Sequence, residues 1–385
     1  MNSKPKILVC ADSFKGSLSS LEVANACCEG ILKAIPLADV QIFGLGDGGE
    51  GSVDAIRKTL GGVTCSTIIN GPLGEHVTAT YLTSVDGKVA YIEVSSAVGL
   101  SLVPQSLRNP METSTYGVGE IIIDAYRRGC TRFIVGLGGS ATNDGGVGML
   151  QALGYRFFDK NGCEVGRGGK VLQSITSFSV TSDSFLSEVD FLALCDVNNP
   201  LTGPDGAASV FGPQKGATPE MVVELDKGLA NFATVIRRAG LEDVEKYPGA
   251  GAAGGLGAAF KAFLDARLCS GVDTILELNG FHRALKSASL VITGEGAIDG
   301  QTLRGKAPFG VLKAAQKCGV PVIAIAGSVN SVEALNRAGF LAVLPIVSGP
   351  CTLSDAMNIQ NAHDNIVRTV EQAIRLFTFY FLKII

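Results

Sequence analysis

The sequence predicts an α/β protein of two domains, a Rossmann/flavodoxin-like parallel-sheet domain interrupted in the chain by a second α/β domain with a mixed sheet. Three observations carry this. Apolar runs of strand length alternate with helical stretches near the start and again over the last third, the pattern of parallel βαβ units. Between them, residues 76–82 and 88–94 flank an Asp86-Gly87 turn, as an antiparallel hairpin does. The chain of 385 residues holds 49 glycines against 14 prolines, a balance that suits tight turns in a compact fold rather than disorder. The predicted domains are residues 1–72 with 285–385, and the inserted 73–284.

Lys6 to Ala11 form the first buried strand, and Asp12, Ser13, Phe14 and Lys15 follow at its C-terminal end, where open α/β sheets bind ligands. Leu21, Ala24, Cys28, Ile31 and Leu32 then recur at helical spacing behind Ser19 and Ser20. A second strand, Val40 to Phe43, runs into Gly46, Asp47, Gly48, Gly49 and Glu50. Singly, Asp12 and Asp47 suit a turn or helix cap as well as a site. Their recurrence at one sheet edge favours the site.

After the hairpin, Arg108 precedes Thr113, Ser114 and Thr115, which open a helix to about Arg128. Arg108 suits an anion fork or a solvated surface, the surface being the commoner fate of an arginine. The apolar strand from Arg132 to Val135 leads into GLGGSATNDGGVG at 136–148. A strand, a glycine bend and a helix start leave N–H groups for an anion. Ser140, Thr142 and Asn143 suit phosphate oxygens, while Asp144 beside them calls for a cation such as Mg²⁺; the plainer alternative is a helix cap. A helix is expected from about 144 to 153, then a short strand at 155–158.

The strand 190–195 ends in Cys195 and Asp196, and Lys215 sits between glycines in FGPQKGA. Gly249, Gly251 and Gly254 precede a helix predicted over 256–268, where small residues serve either close helix packing or a ligand cradle. Strands follow at Leu290 to Thr293, Val320 to Ala326 and Ala342 to Val347, the first ending near Glu295 and Asp299. Gly300 to Lys306 resembles a P-loop but has Ala307 in place of Ser or Thr and no strand directly before it.

With 36 acidic against 32 basic residues and no basic run, nucleic acid is not an expected partner. The ten cysteines form no CxxC pair, and Met1 to Pro5 lead into a strand rather than a signal sequence, so reduced thiols in the cytoplasm are expected. The apolar tail from Leu376 is about half the length of a membrane span and is expected to pack on the core or on a partner subunit of a homo-oligomer. His76, His282 and His363 have neither zinc-ligand nor triad spacing, and no GxSxG elbow occurs.

Acids at strand ends or in glycine loops (Asp12, Asp47, Asp144, Asp196, Glu295, Asp299) and lysines in glycine-bounded turns (Lys15, Lys215, Lys306) are the parts needed for phosphoryl transfer. The rival is an NAD(P)-dependent dehydrogenase of a small hydroxy acid, in which Gly136, Gly138 and Ala141 supply GxGxxA and Asp159 the ribose acid. A third possibility is a non-catalytic anion-binding protein, which needs fewer carboxylates.

Seven strings occur in order: ADSFKGS (11–17), GDGGEGS (46–52), GGSATNDGG (138–146), CDVNNPL (195–201), FGPQKGA (211–217), PGAGAAGG (248–255) and TGEGAIDGQT (293–302). Together they closely resemble the bacterial type I glycerate kinases over residues 5 to about 350. Ala11, Gly46 and the tail beyond Arg375 depart from the pattern, but no charged motif residue is lost. The resemblance implies ATP, Mg²⁺ and transfer of the γ-phosphoryl group to a hydroxyl of D-glycerate, the 2-phospho product favoured over the 3-phospho. It further suggests a cleft between domains with Asp196 or Asp47 as base, and Lys15 and Lys215 on ATP phosphates. Asp144 with Glu295 or Asp299 would hold Mg²⁺. Gly138, Gly139, Ser140, Thr142, Asn143, Gly249, Gly251 and Gly254 would cradle nucleotide, and Asp12, Ser13, Arg108, Gly48 and Gly49 would contact glycerate.

Overall fold

The structure is a computed structural model that describes residues 4–45, 52–180, 185–300, 302–304 and 306–384. Among these the strands are β1 (Lys6–Val9), β2 (Asp39–Ile42), β3 (Val63–Asn70), β4 (His76–Thr83), β5 (Val89–Glu93), β6 (Arg132–Gly136), β7 (Tyr155–Phe158), β8 (Ser177–Val180), β9 (Asp190–Leu194), β10 (Arg267–Cys269), β11 (Leu290–Ile298), β12 (Val322–Val329) and β13 (Ala342–Pro345). The chain forms two compact units, Met1–Gly46 with Val272–Ile385, and Asp47–Gly271.

In the first unit five parallel strands lie in the order β13-β12-β11-β1-β2. This is the flavodoxin-like order, and its direction of winding reverses between β1 and β11. An all-parallel sheet must be covered on both faces. Ile7, Val9, Leu290 and Ile292 pack against the helices Ser20–Ala34 and Ile359–Ile384. Leu8, Val291 and Val322 face the helix Ala307–Gln316 and the edge-to-face pair Phe43 and Phe281. The helix Ser20–Ala34 starts at a capping box, in which Ser19 Oγ accepts the Glu22 N–H and the Glu22 carboxylate accepts the Ser19 N–H.

β11 is longer than its sequence suggests. Glu295 to Ile298 continue to pair with β12, so Glu295 is a strand residue rather than a loop residue. The apolar tail continues the helix Ile359–Ile384; before it Val370, Ala373 and Ile374 are buried in the core beside the helix Ser20–Ala34, and within it Phe377 packs partly against that core. Leu376 and Phe379 are 67% and 58% exposed. No helix among the described residues is long and apolar enough to cross a membrane.

The second unit has a six-stranded mixed sheet in the order β10-β9-β6-β5-β4-β3. β10, β9, β6 and β5 are parallel neighbours, while β4 is antiparallel to both β5 and β3. The units divide at 46/47 and 271/272, not at the predicted 72/73 and 284/285. The cause is pairing. β3, a β-branched run, pairs with β4 from Val63 opposite Thr83 to Asn70 opposite His76, which puts it in the second unit. At the other boundary, Val272 and Leu276 of the next helix enter a core of the first unit.

The helix predicted over 256–268 begins earlier, at Ala252, and ends at Leu264, where Asp265 takes a left-handed cap. Ala253, Gly254 and Gly255 are all left-handed, so its regular part starts at Leu256. β10 occupies the end of the predicted helix. The helix predicted over 144–153 is shorter, Val147–Ala152, because Gly145 and Gly146 both have positive φ.

Gly30 sets the approach of two helices in the first unit: a Cβ there would lie 2.5 Å from the Val367 carbonyl oxygen and 3.0 Å from Val370 Cβ. Alanine gains about 1 kcal/mol of helix propensity over glycine, whereas overpacking costs about 1–3 kcal/mol. Gly30→Ala is therefore expected to lower the denaturant midpoint, and an unchanged or raised midpoint would show that the helices separate freely.

Candidate active site

β6 and β9 are adjacent and parallel, so the loops that follow them emerge at the same sheet edge. A cavity of about 290 Å³ opens there. Leu137, Leu194 and Phe211 form apolar wall, and Gly138, Gly139, Ser140, Asp196 and Lys215 supply its polar groups. All lie in the second unit.

The loop after β6 is held from both sides. Leu137 N–H donates to the Leu194 carbonyl at 3.0 Å, Leu100 N–H to the Gly139 carbonyl at 2.9 Å, and Ala141 N–H to the Val98 carbonyl at 2.8 Å. Gly139 has φ +74°, which turns the chain between these anchors. No described residue accepts the main-chain N–H of Gly138 or Gly139. Successive N–H groups in such a bend make an anion-binding concavity.

Lys215 extends from the turn Pro213–Lys215 and is 3% exposed. Its Nζ donates to Ser140 Oγ at 3.0 Å and to the Thr142 carbonyl at 2.6 Å. Burial pushes the ammonium down to about 7, opposed by the negative charge of Asp144. The turn is pinned at Gly216, which has φ +91° and sits so near the Arg108 carbonyl that a Cβ would overlap it. Arg108 itself turns its guanidinium to the carbonyls of Val103 and Leu100 at 3.4 Å each, so it ties down its own segment and does not line the cavity.

Asp144 is completely buried. Its Oδ2 accepts from Thr115 N–H at 2.8 Å, Thr115 Oγ1 at 2.9 Å and Gly148 N–H at 3.2 Å, and its Oδ1 accepts from Gly146 N–H at 3.1 Å. Burial raises its pKa, and these donors oppose the rise. Four protein donors meet its two oxygens, a geometry that supports an anchor for the loop rather than the Mg²⁺ ligand expected from the sequence. Thr142 and Asn143 are likewise buried and do not line the cavity, and Thr142 Oγ1 and both polar atoms of the Asn143 side chain have no partner among the described residues.

Asp196 stands at the cavity after β9, with its Oδ1 accepting from Ser270 Oγ at 2.8 Å and Gly271 N–H at 3.0 Å. Beside it, burial raises the Cys195 thiol to about 11. Gly249 packs against Cys195, with an added Cβ 3.1 Å from its Sγ, and Cβ atoms at Gly251 and Gly254 would overlap the carbonyls of Pro200 and Thr142. The alternative left open by the sequence thus resolves toward close chain packing. These glycines lock three loops together, while Ala252 and Ala253 line the cavity.

Within the first unit, the switch point carries a second polar group. Asp12 N–H donates to the Gly294 carbonyl at 2.8 Å, and Ser13 N–H to Asp12 Oδ1 at 2.6 Å. Glu295 accepts from Thr302 Oγ1 at 2.9 Å and lies 3.5 Å from Lys306 Nζ. Burial raises the Glu295 pKa, Thr302 and Lys306 oppose, and the charge of Asp12 adds to the rise. Lys15 is exposed, and Asp299 donates its N–H to Thr302 Oγ1 at 3.2 Å. Among the described residues no three His, Cys, Asp or Glu side chains form a metal-binding group. Asp47, Gly48 and Gly49 lie outside the described residues.

Sequence patterns did not single out Ser270, Thr302 or the hydroxyl of Thr115, since each acquires its partner only through folding. A run of Thr and Ser before a helix was the sole trace of Thr115.

The profile of the Glycerate kinase family matches residues 7–378. The chain belongs to this family. Among its relatives, a glycerate kinase of Halalkalibacterium halodurans is 47% identical over 91% of this chain and 93% of its own. A glycerate 2-kinase of Escherichia coli K12 is 44% identical over 94% and 95%, and a glycerate kinase of Bacillus subtilis 45% over 98% and 100%. The crystal structure of a Salmonella typhimurium LT2 protein, described as glycerate kinase 2, superposes with a TM-score of 0.86 at 42% identity, covering 99% of this chain and all of that one.

Membership in the glycerate kinase family leaves the dehydrogenase alternative without support, and the geometry agrees. Asp159 accepts from the N–H groups of Asn161 and Cys163 in an exposed turn, so its carboxylate is engaged in shaping that turn. All ten cysteines are free thiols.

The buried lysine makes a pH prediction. Unfolded lysine holds its proton to about pH 10.4, whereas Lys215 in the fold releases it near 7, so the unfolded chain binds more protons between these values. Stability measured by denaturation is expected to gain with rising pH over that window in the natural protein relative to Lys215→Met. Identical pH slopes would show that Lys215 keeps an ordinary pKa.

Proposed function

We propose that the chain phosphorylates a hydroxyl of D-glycerate with ATP and Mg²⁺, giving ADP and phosphoglycerate, with the 2-hydroxyl as acceptor. The observation that carries this is the meeting of a buried lysine, a carboxylate held by two donors and a glycine bend with open N–H groups on one cavity wall. Family membership supplies the substrate class.

Asp196 is suited to take the proton of the attacking hydroxyl, because Ser270 and Gly271 fix its carboxylate at the cavity. The hydroxyl oxygen then bonds to the γ-phosphorus as the bond to the bridging β,γ-oxygen breaks. Lys215 and the N–H groups of Gly138 and Gly139 would meet the charge on the transferred group, and their fixed positions avoid reorganisation during transfer. The apolar wall of Leu137, Leu194 and Phe211 lowers the local dielectric around them.

The donor set suits Mg²⁺ of a particular kind. Mg²⁺ is commonly held by one or two carboxylates together with substrate phosphates and water. Glu295, with Asp12 near enough to raise its pKa, provides such carboxylates in the first unit, whereas Asp144 does not. We assign Glu295 and Asp12 as the candidate holders, with Asp299 at the following turn. When bound, the metal would neutralise phosphate charge. Lys15, Lys306 and Ser13 are candidates for nucleotide phosphate contact.

Purified protein with ATP and Mg²⁺ is expected to release ADP only when D-glycerate is present, and phosphorus NMR is expected to show the 2-phospho product. Glycerate-independent turnover, or none, would contradict the assignment. Asp196→Asn is expected to lower kcat by about 100-fold or more with ATP affinity little changed. Near-normal kcat in that variant removes Asp196 as base.

A further inference from the structure

We propose that Thr115 is a positioning residue for phosphoryl transfer: by holding Asp144 it fixes the loop whose Ser140 hydroxyl and Thr142 carbonyl place Lys215 in the cavity. The inference rests on the kinase activity proposed above.

Thr115 is completely buried and does not line the cavity. Its N–H and Oγ1–H both donate to Asp144 Oδ2, at 2.8 and 2.9 Å, and its Oγ1 accepts the Met149 N–H at 2.9 Å. One hydroxyl therefore joins the carboxylate to the helix that follows the loop. Thr115 is the N-cap of the helix Tyr116–Arg127, yet its side chain makes no capping bond there. The hydroxyl serves the neighbouring loop rather than its own helix.

Two residues earlier, Thr113 Oγ1 donates to the Ala141 carbonyl at 3.0 Å. The segment 113–115 thus grips the loop at Ala141 and again at Asp144. Thr142, whose carbonyl accepts from Lys215 at 2.6 Å, lies between the two grips. A shift of the second grip moves that acceptor, and the ammonium with it. A group that stabilises only the transition state loses kcat when misplaced, with substrate affinity largely kept. Loss of position by about 1 Å can cost about 100-fold.

The test compares Thr115→Val, which keeps shape and loses the hydroxyl, with Thr115→Ser, which keeps the hydroxyl. Each is made in the full chain with natural Lys215 and with Lys215→Met, and steady-state kinetics are measured with ATP, Mg²⁺ and D-glycerate. Thr115→Val is expected to lower kcat by about 10- to 100-fold with both KM values within about threefold. Thr115→Ser is expected to recover most of the loss, and Thr115→Val should add little once Lys215 is already Met. Natural kcat in Thr115→Val, or an equal loss in both backgrounds, overturns the proposal. If the double variant falls below detection, the kcat and KM split and the serine rescue decide. If Thr115→Val does not fold, Thr115→Ala, which leaves room for water to solvate Asp144, is read in the same way. Absence of glycerate-dependent turnover in the natural protein defeats the kinase assignment itself, an outcome distinct from an active enzyme indifferent to Thr115.

Discussion

The second unit is organised around the buried carboxylate of Asp144. A charge taken from water must be met by donors, and leaving such a group short of a partner costs about 1–3 kcal/mol or more. Four donors from Thr115, Gly146 and Gly148 meet this one. Satisfying it forces the chain through two left-handed glycines at 145 and 146 and draws the segment before the helix Tyr116–Arg127 against the loop. The requirement of one carboxylate thereby becomes the shape of the cavity wall.

Lys215 is the counterpart. Its ammonium is also buried and donates to the Ser140 hydroxyl and the Thr142 carbonyl within the field of Asp144. A buried cation with neutral acceptors retains much of its field for an incoming phosphoryl group, because among the described residues no carboxylate is bonded directly to it. Asp144 acts at one remove, stabilising the charge without occupying the ammonium. The glycines at 216, 251 and 254 allow the supporting backbones to approach closely enough for this arrangement.

Much of this was legible in the chain. Alternating strands and helices gave the parallel sheet of the first unit, and strand-end placement pointed to Asp196 and the 138–140 bend, which meet at one cavity, and to Asp12 beside Gly294. What escaped was long-range. β3 lacks a local sign that it pairs with β4 rather than with the preceding strands, so the domain boundary moved to 46/47. Asp144 was expected to bind metal because an acid in a glycine loop looks exposed in sequence; only the donors from Thr115, distant in the chain, show it to be a buried anchor. Gly249, Gly251 and Gly254 carry the same composition whether they cradle a ligand or admit a neighbouring backbone, and only the carbonyls of Pro200 and Thr142 beside two of them decide. Arg108 turned inward to main-chain carbonyls for the same reason, a partner set by packing rather than by its neighbours in sequence.

The central claim is that the loop around Asp144 is preformed and rigid before any ligand binds. Hydrogen exchange of the ligand-free protein tests it at the amides of Thr115, Gly146, Gly148 and Met149, which are bonded to Asp144 or to the Thr115 hydroxyl. Protection approaching that of the core strands β6 and β9 is the predicted result. Exchange at these four amides as fast as in exposed loops would contradict the account.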